Sequence, residues 1–299
     1  MSNGIRQSKR SLTQQFLTDP LVGGIVFSFI GLLKILPIRY SSGFGGCLGK
    51  SFYYVMKKRN RIGRRNLEIA FPEKTAKERE EILKKMWEHW GRVYGELPHA
   101  AKLYQQANIS GLDYLKEQDR KKEGCFVCSA HLGNFEISAS TDLFDDYCLN
   151  PVYRAANNPY IDKALFQKRK GILIPKGTQG AKKMLDVLKS GKAIVILCDQ
   201  KLREGISVPF FGKEAMTPSA IASVALKLNV PIMMAKCIRQ PNGQFNIDVY
   251  PLEKSKNPNK HEAVYETMLS INQEMENWIR QHPEQWLWIH RRFDKSEYK

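Results

Sequence analysis

The chain has 299 residues, 42% of them hydrophobic and 26% charged, a balance that supports a sizeable core and excludes a disordered or collagen-like chain. Lys and Arg number 47 against 30 Asp and Glu, a net charge of +17. Such an excess points to an anionic partner: a membrane surface, a phosphorylated substrate or nucleic acid.

The first element is an apolar run at 21–33 (LVGGIVFSFIGLL), interrupted by Lys34 and continued by ILPI to residue 38. As helix, the whole stretch is about 27 Å long, against a bilayer core of about 30 Å. It is expected to be a membrane anchor that either spans or lies in the interface, within a segment 1–45 that precedes a single catalytic domain at 46–299. A buried core helix and a cleaved signal peptide are the competing readings, and no small-residue cleavage site follows. Lys57, Lys58, Arg59, Arg61, Arg64 and Arg65 come next. A basic cluster of this kind beside an apolar helix suits anionic lipid headgroups, or else is a solvated helix face.

Residues 73–97 read as a helix of mixed polarity. From Gly124 the pattern alternates. GCFVCSAH (124–131) is a buried strand, broken by Gly133 and Asn134, which open a helix to about residue 143. A strand at 146–154, a helix at 157–171, a short strand at ILIPKG and a helix at 178–191 follow. KAIVILCDQ (192–200) is the clearest buried strand. A helix at 217–229 is expected to begin at Thr217 and Pro218. Two more strands lie at 230–239 and 244–251, and a long helix at about 260–281. Such alternation implies an α/β fold with a mostly parallel central sheet flanked by helices. In these sheets, sites gather at the carboxyl ends of strands. His131, Arg154 and Asp199 are the polar residues that end three apolar runs.

Six cysteines sit mostly in apolar runs and behave as small hydrophobes, consistent with a reducing cytoplasmic setting. Cys125 and Cys128 have half a zinc spacing, but in a strand i and i+3 face opposite ways, so no metal site is expected. No G-x-G-x-x-G follows the first strand and there is no P-loop, which argues against a nucleotide cofactor; none is expected. A basic nucleic-acid or membrane binder remains a rival, but no zinc finger, RNA-binding signature or basic heptad region supports it.

The chemistry centres on His131-Leu132-Gly133-Asn134-Phe135-Glu136. A strand delivers the imidazole, glycine turns the chain, and Glu136 falls in the first turn of the next helix. A carboxylate on one ring nitrogen sets the tautomer and leaves the other free to take a proton. The backbone near Gly133 and Asn134 offers N–H groups for an oxyanion. Arg154 adds positive charge at the same edge or is a solvated loop residue; Asp199 orients a substrate hydroxyl or pairs with Arg154.

SAHLGNFE (129–136) resembles the H-x4-D/E motif of the lysophospholipid acyltransferase superfamily. PEQWLWIHRRF (283–293) resembles the C-terminal signature of its bacterial lipid A biosynthesis branch, the lauroyl and myristoyl transferases. RRNLEIAFPE (64–73), VYRAANNP (152–159), CDQ (198–200) and VPFFG (208–212) resemble the same branch. The resemblance implies a glycerolipid-acyltransferase-like fold, an acyl-carrier-protein thioester as donor, a Kdo-bearing lipid A precursor as acceptor, and a place at the cytoplasmic face of the bacterial inner membrane among its anionic lipids. It implies His131 as base with Glu136 holding it. Arg291 and Arg292 are candidates for substrate phosphates or carboxylates, with a lipid-facing basic patch as the alternative. Trp286 and Trp288 suit an acyl groove or ordinary packing. Where glycerophosphate acyltransferases carry F-P-E-G-T-R, this chain reads IPKGTQGAKK (174–183), which favours the lipid A branch over a glycerophospholipid acceptor.

Overall fold

A computed structural model describes residues 18–139, 143–144, 147–166, 171–175 and 177–299. At the N-terminus, the expected apolar stretch divides in two. Helix α1 (Asp19–Ile35) ends at Leu36, and α2 (Ile38–Val55) starts after the extended Pro37. Proline fixes its own φ and biases the residue before it away from helix, so one continuous helix is not formed. At 17 residues, α1 is about 25 Å long. Among the described residues, no helix is long and apolar enough to cross a membrane, which corrects the spanning form of the expected anchor.

Nor is this segment a free-standing foot. The Asn158 side chain donates to the Asp19 carbonyl (3.0 Å), and the His99 ring meets the Leu33 carbonyl (3.0 Å). The boundary expected at residue 45 falls inside α2, which packs along α4 (Ala76–Glu96). Four glycines allow this: a Cβ on Gly49 would sit 2.1 Å from the Trp87 carbonyl oxygen, and one on Gly91 2.1 Å from that of Gly45. Between them α3 (Lys57–Ala70) carries the basic cluster. A capping box of Thr75 and Glu78 starts α4.

The remaining helices are α5 (Ala100–Gln105), α6 (Leu112–Lys121), α7 (Glu136–Ala139), α8 (Pro159–Phe166), α9 (Thr178–Lys189), α10 (Ala220–Leu228) and α11 (Lys260–Gln281). The strands are β1 (Asn108–Ser110), β2 (Cys125–Ser129), β3 (Asn150–Tyr153), β4 (Ile174–Pro175), β5 (Ala193–Leu197), β6 (Ile206–Phe210), β7 (Lys213–Thr217), β8 (Ile232–Arg239) and β9 (Phe245–Leu252).

Seven strands form one sheet in the order β1-β9-β8-β2-β5-β3-β4; every pairing is parallel except β8 with β9. The mostly parallel α/β sheet is therefore as expected. Side chains alternate across it. Phe126, Cys128, Ile194, Ile232 and Met234 face a core shared with α4, α9, α10 and α11. Cys125, Val127, Ala193, Met233 and Cys237 face a second core with Leu103, Leu115, Ile137 and Tyr147. Cys125 and Cys128 thus lie on opposite faces, and burial pushes the Cys125 thiol up to about 12. The β6–β7 hairpin was not legible in advance. Thr217, expected to cap a helix, is instead the last residue of β7. The long helices were placed well: α11 matches its expected range, and α10 starts three residues later than expected.

Candidate active site

Strands β2 and β5 run parallel with Ser129 opposite Leu197. His131 and Asp199 each lie two residues beyond that pair, so the register alone brings them together at the carboxyl edge. His131 Nδ1 is 2.8 Å from Asp199 Oδ1, and the His131 backbone N–H donates to Asp199 Oδ2 at 3.0 Å. The Trp286 indole N–H donates to the same Oδ2 at 2.8 Å. Asp199 is 1% exposed. Burial alone would raise its pKa, but the His131 charge and the hydrogen bonds from His131 and Trp286 overcome it and hold the carboxyl at about 2.

A carboxylate on Nδ1 requires the proton there, so Nε2 carries the free lone pair. The side-chain nitrogen of Gln200 lies 3.2 Å from Nε2 and donates to it. The Phe135 ring stands edge-on to the imidazole, with centroids 5.2 Å apart, and Trp90 lies 6.4 Å away. The imidazole is half-buried, with Nδ1 directed inward to Asp199.

The C-terminal segment completes the site through a short 3-10 turn, Pro283–Gln285, and one isolated antiparallel bridge. The Leu287 N–H donates to the His131 carbonyl (3.2 Å), the Gly133 N–H to the Gln285 carbonyl (3.2 Å), and Leu132 bridges Trp286. Residues 283–288 therefore clamp the turn after β2, which gives the W-L-W spacing a structural reason. Gly133 has φ +58°, and a Cβ there would fall 1.9 Å from the Cys237 carbonyl oxygen, so only glycine fits.

A second buried carboxylate holds the far end of this turn. Glu96 accepts two bonds of 2.6 Å from Arg239, one of 2.6 Å from Ser42 and one of 2.9 Å from the Asn134 side chain. His89 is also buried, with its ring nitrogen 3.0 Å from the Gly133 carbonyl; desolvation drives its pKa down to about 3. A cleft of about 850 Å³ opens here, bordered among others by Arg39, His89, Arg92, Glu96 and Arg239.

The expected residues fare unevenly. His131 and Asp199 meet. Glu136, expected on the ring, begins α7 within electrostatic reach of Tyr94, and it is Asp199 that occupies Nδ1. Of Gly133 and Asn134, expected to present backbone N–H groups, the Gly133 N–H is taken by the Gln285 carbonyl, while the bond from Asn134 to Glu96 is made by its side chain. Arg154 is exposed just beyond β3, next to β5 in the sheet, and the described hydrogen-bond partners of Asp199 are His131 and Trp286. Arg291 is exposed, its guanidinium 5.9 Å from the Tyr298 ring centre. Arg292 is fully buried, donating to the Met216 carbonyl (3.0 Å) and Thr217 Oγ1 (2.7 Å) over the Phe210 ring. It pins β7 and does not face a substrate. Burial lowers its pKa to about 10.

Sequence reasoning missed Trp286 as the second donor to Asp199, and Gln200, Glu96, Arg239 and His89 altogether. CDQ and PEQW were visible as motifs, but nothing in them said that they meet. Among the described residues, no three His, Cys, Asp or Glu side chains converge as a metal cage requires.

Comparison with known proteins gives the family. The lipid A biosynthesis lauroyltransferase of Escherichia coli (strain K12) is 27% identical over 270 residues, covering 86% of this chain and 85% of that protein. The palmitoleoyltransferase of the same organism is 26% identical over 264 residues, 83% and 82% of the two chains. A lipid A biosynthesis acyltransferase of Haemophilus influenzae is 23% identical over 272 residues, 87% and 84%. Residues 9–295 match the bacterial lipid A biosynthesis acyltransferases, and the chain belongs to that family.

Proposed function

We propose that this protein transfers a fatty acyl group from an acyl-carrier-protein thioester to a hydroxyl of a Kdo-bearing lipid A precursor. The observation that carries the reading is the hydrogen-bonded His131–Asp199 pair, with Nε2 directed away from its carboxylate at a sheet edge. In this reading, Nε2 takes the proton of the acceptor hydroxyl, and Asp199 stabilises the imidazolium that results. The acceptor's own oxygen is the nucleophile, so no enzyme serine and no cofactor are needed. Exposed Arg154 and Arg291 are offered to the acceptor's phosphates or carboxylates. An apolar cavity of about 60 Å³ lies behind Phe135, lined by Val127, Pro151, Val195, Leu197 and Ala235.

A second reading keeps Glu136 as the carboxylate that orients the ring, favoured by its place in the H-x4-E motif. The two readings part on one comparison: the first has Asp199→Asn abolish turnover, the second Glu136→Gln.

We place the reaction at the cytoplasmic face of the inner membrane. Leu21, Ile25, Leu32 and Ile35 on α1 and Phe44, Leu48, Phe52 and Val55 on α2 are exposed, and Lys57, Lys58, Arg59 and Arg61 are exposed beside them. Large exposed apolar patches mark interaction surfaces, and a basic border suits anionic headgroups. The function is tested by mass spectrometry of lipid A from cells with and without the gene. One acyl group should disappear; an unchanged profile would point to another acceptor, such as a glycolipid, ornithine lipid or lysophospholipid.

A further inference from the structure

Acyl transfer from a thioester passes through a tetrahedral oxyanion, which needs a hydrogen-bond donor within reach of both the base and the reacting carbon. The two backbone donors that follow the base are committed, the Leu132 N–H to the Ala130 carbonyl (2.7 Å) and the Gly133 N–H to the Gln285 carbonyl (3.2 Å). The Trp286 indole is committed to Asp199.

Gln200 differs from these. Its side-chain nitrogen is 3.2 Å from His131 Nε2, and among the described residues that ring is its hydrogen-bond partner. The backbone on either side is fixed. Cys198 N donates to the Ser129 carbonyl (3.0 Å), Asp199 is held by His131 and Trp286, and Lys201 N donates to His290 Nε2 (3.4 Å) while its Nζ reaches the Phe293 carbonyl (3.2 Å). The side chain itself is half-buried.

We infer that Gln200 is a catalytic residue: its amide caps the base in the resting protein and becomes the oxyanion donor once the acceptor hydroxyl takes its place on Nε2. The inference rests on the acyl-transfer reading above. The acceptor O–H must lie along the same Nε2 lone pair that the amide now occupies. Displacing the amide by one hydrogen-bond length leaves its N–H beside the carbonyl under attack. The acceptor proton passes to Nε2 as the new C–O bond forms, and the carbonyl π pair moves onto oxygen, where Gln200 donates. Collapse restores the carbonyl, breaks the C–S bond, and returns the proton from Nε2 to the departing sulfur. An ester and a free thiol result, and no further reactant is consumed.

The test follows thiol release and acylated product separately, using a lauroyl thioester of acyl carrier protein and a lipid A precursor. Gln200→Ala should lower kcat about 100-fold, the scale for removing one oxyanion donor, with KM for both substrates changed far less. Gln200→Glu keeps the shape, cannot donate, and places negative charge where the oxyanion forms, so it should be slower still. Gln200→Asn keeps a donor and should recover part of the loss. Thermal melts check that each variant is folded. Full kcat in Gln200→Ala, or rescue by Gln200→Glu, would overturn the assignment and leave the acyl-transfer reading standing. Thiol release without acylated lipid would overturn the proposed acceptor while the Gln200 comparison is still read on thiol. A wild-type protein that releases no thiol would overturn both.

Discussion

The turn after β2 is held at each end by a buried carboxylate, and the two ends are built differently. At the His131 end, Asp199 pairs with a group that can gain and lose a proton, and Gln200 meets the other ring nitrogen from a half-buried loop. At the Asn134 end, Glu96 pairs with Arg239, whose charge is permanent, and its other bonds come from Ser42 and Asn134. The first arrangement can store a proton for part of a cycle. The second can only hold shape. Chemistry and rigidity are thus given to two carboxylates that hold residues only three apart in the turn, each matched to the titration behaviour of its partner.

The sharpest way to break this contrast is at the ring. His131→Ala should abolish acyl transfer while circular dichroism and melting temperature stay near wild type, because the imidazole is only half-buried. A variant that still turns over would remove the catalytic half of the comparison. Asp199→Asn should lower kcat by about 10⁴-fold by stabilising the wrong tautomer. It should also cost about 1–3 kcal/mol of stability, since its amide faces donors from His131 or Trp286. Kinetics and denaturant titration on the same protein read the two losses.

The scaffold end predicts a different pattern. Glu96→Ala leaves Arg239 buried without its counter-ion and should destabilise by about 3–5 kcal/mol. Activity lost at working temperature should return in part on cooling or in stabilising osmolytes, which Asp199→Asn should not show. Away from the turn, Lys57→Gln with Lys58→Gln should weaken binding to anionic vesicles by about 1 kcal/mol per residue, read by sedimentation, with little change on neutral vesicles.

A further effect is expected on pH. Burial drives His89 down to about 3 and His290 down to about 4. Both rings are neutral in the fold yet take a proton near their ordinary value when unfolded. The unfolded chain therefore binds more protons between the ordinary histidine range and those values, and stability should fall as pH drops through that window. Chemical denaturation from neutral pH down to about 4.5 should show it, and His89→Gln should flatten the slope. An unchanged slope would mean that His89 is not the buried neutral donor to Gly133 described above.

Much of this architecture could be read along the chain. Apolar runs at 124–130 and 193–198 announce strands covered on both faces, and the glycine at 191 closes a helix, because burial and backbone freedom are local properties of composition and order. The same logic brought out His131, Arg154 and Asp199 as the polar residues that end strands. Partnership was not local. Glu136 is five residues from His131, yet Asp199, 68 residues away, takes the ring, because the pairing of Ser129 with Leu197 puts the two strand ends level. Arg291 and Arg292 are adjacent and alike in type, but one is in solvent and the other is sealed under β7. Strand register and the docking of residues 283–288 settle such matters, and both depend on contacts between residues far apart in the chain, 68 residues for Ser129 and Leu197, that no local window of sequence contains.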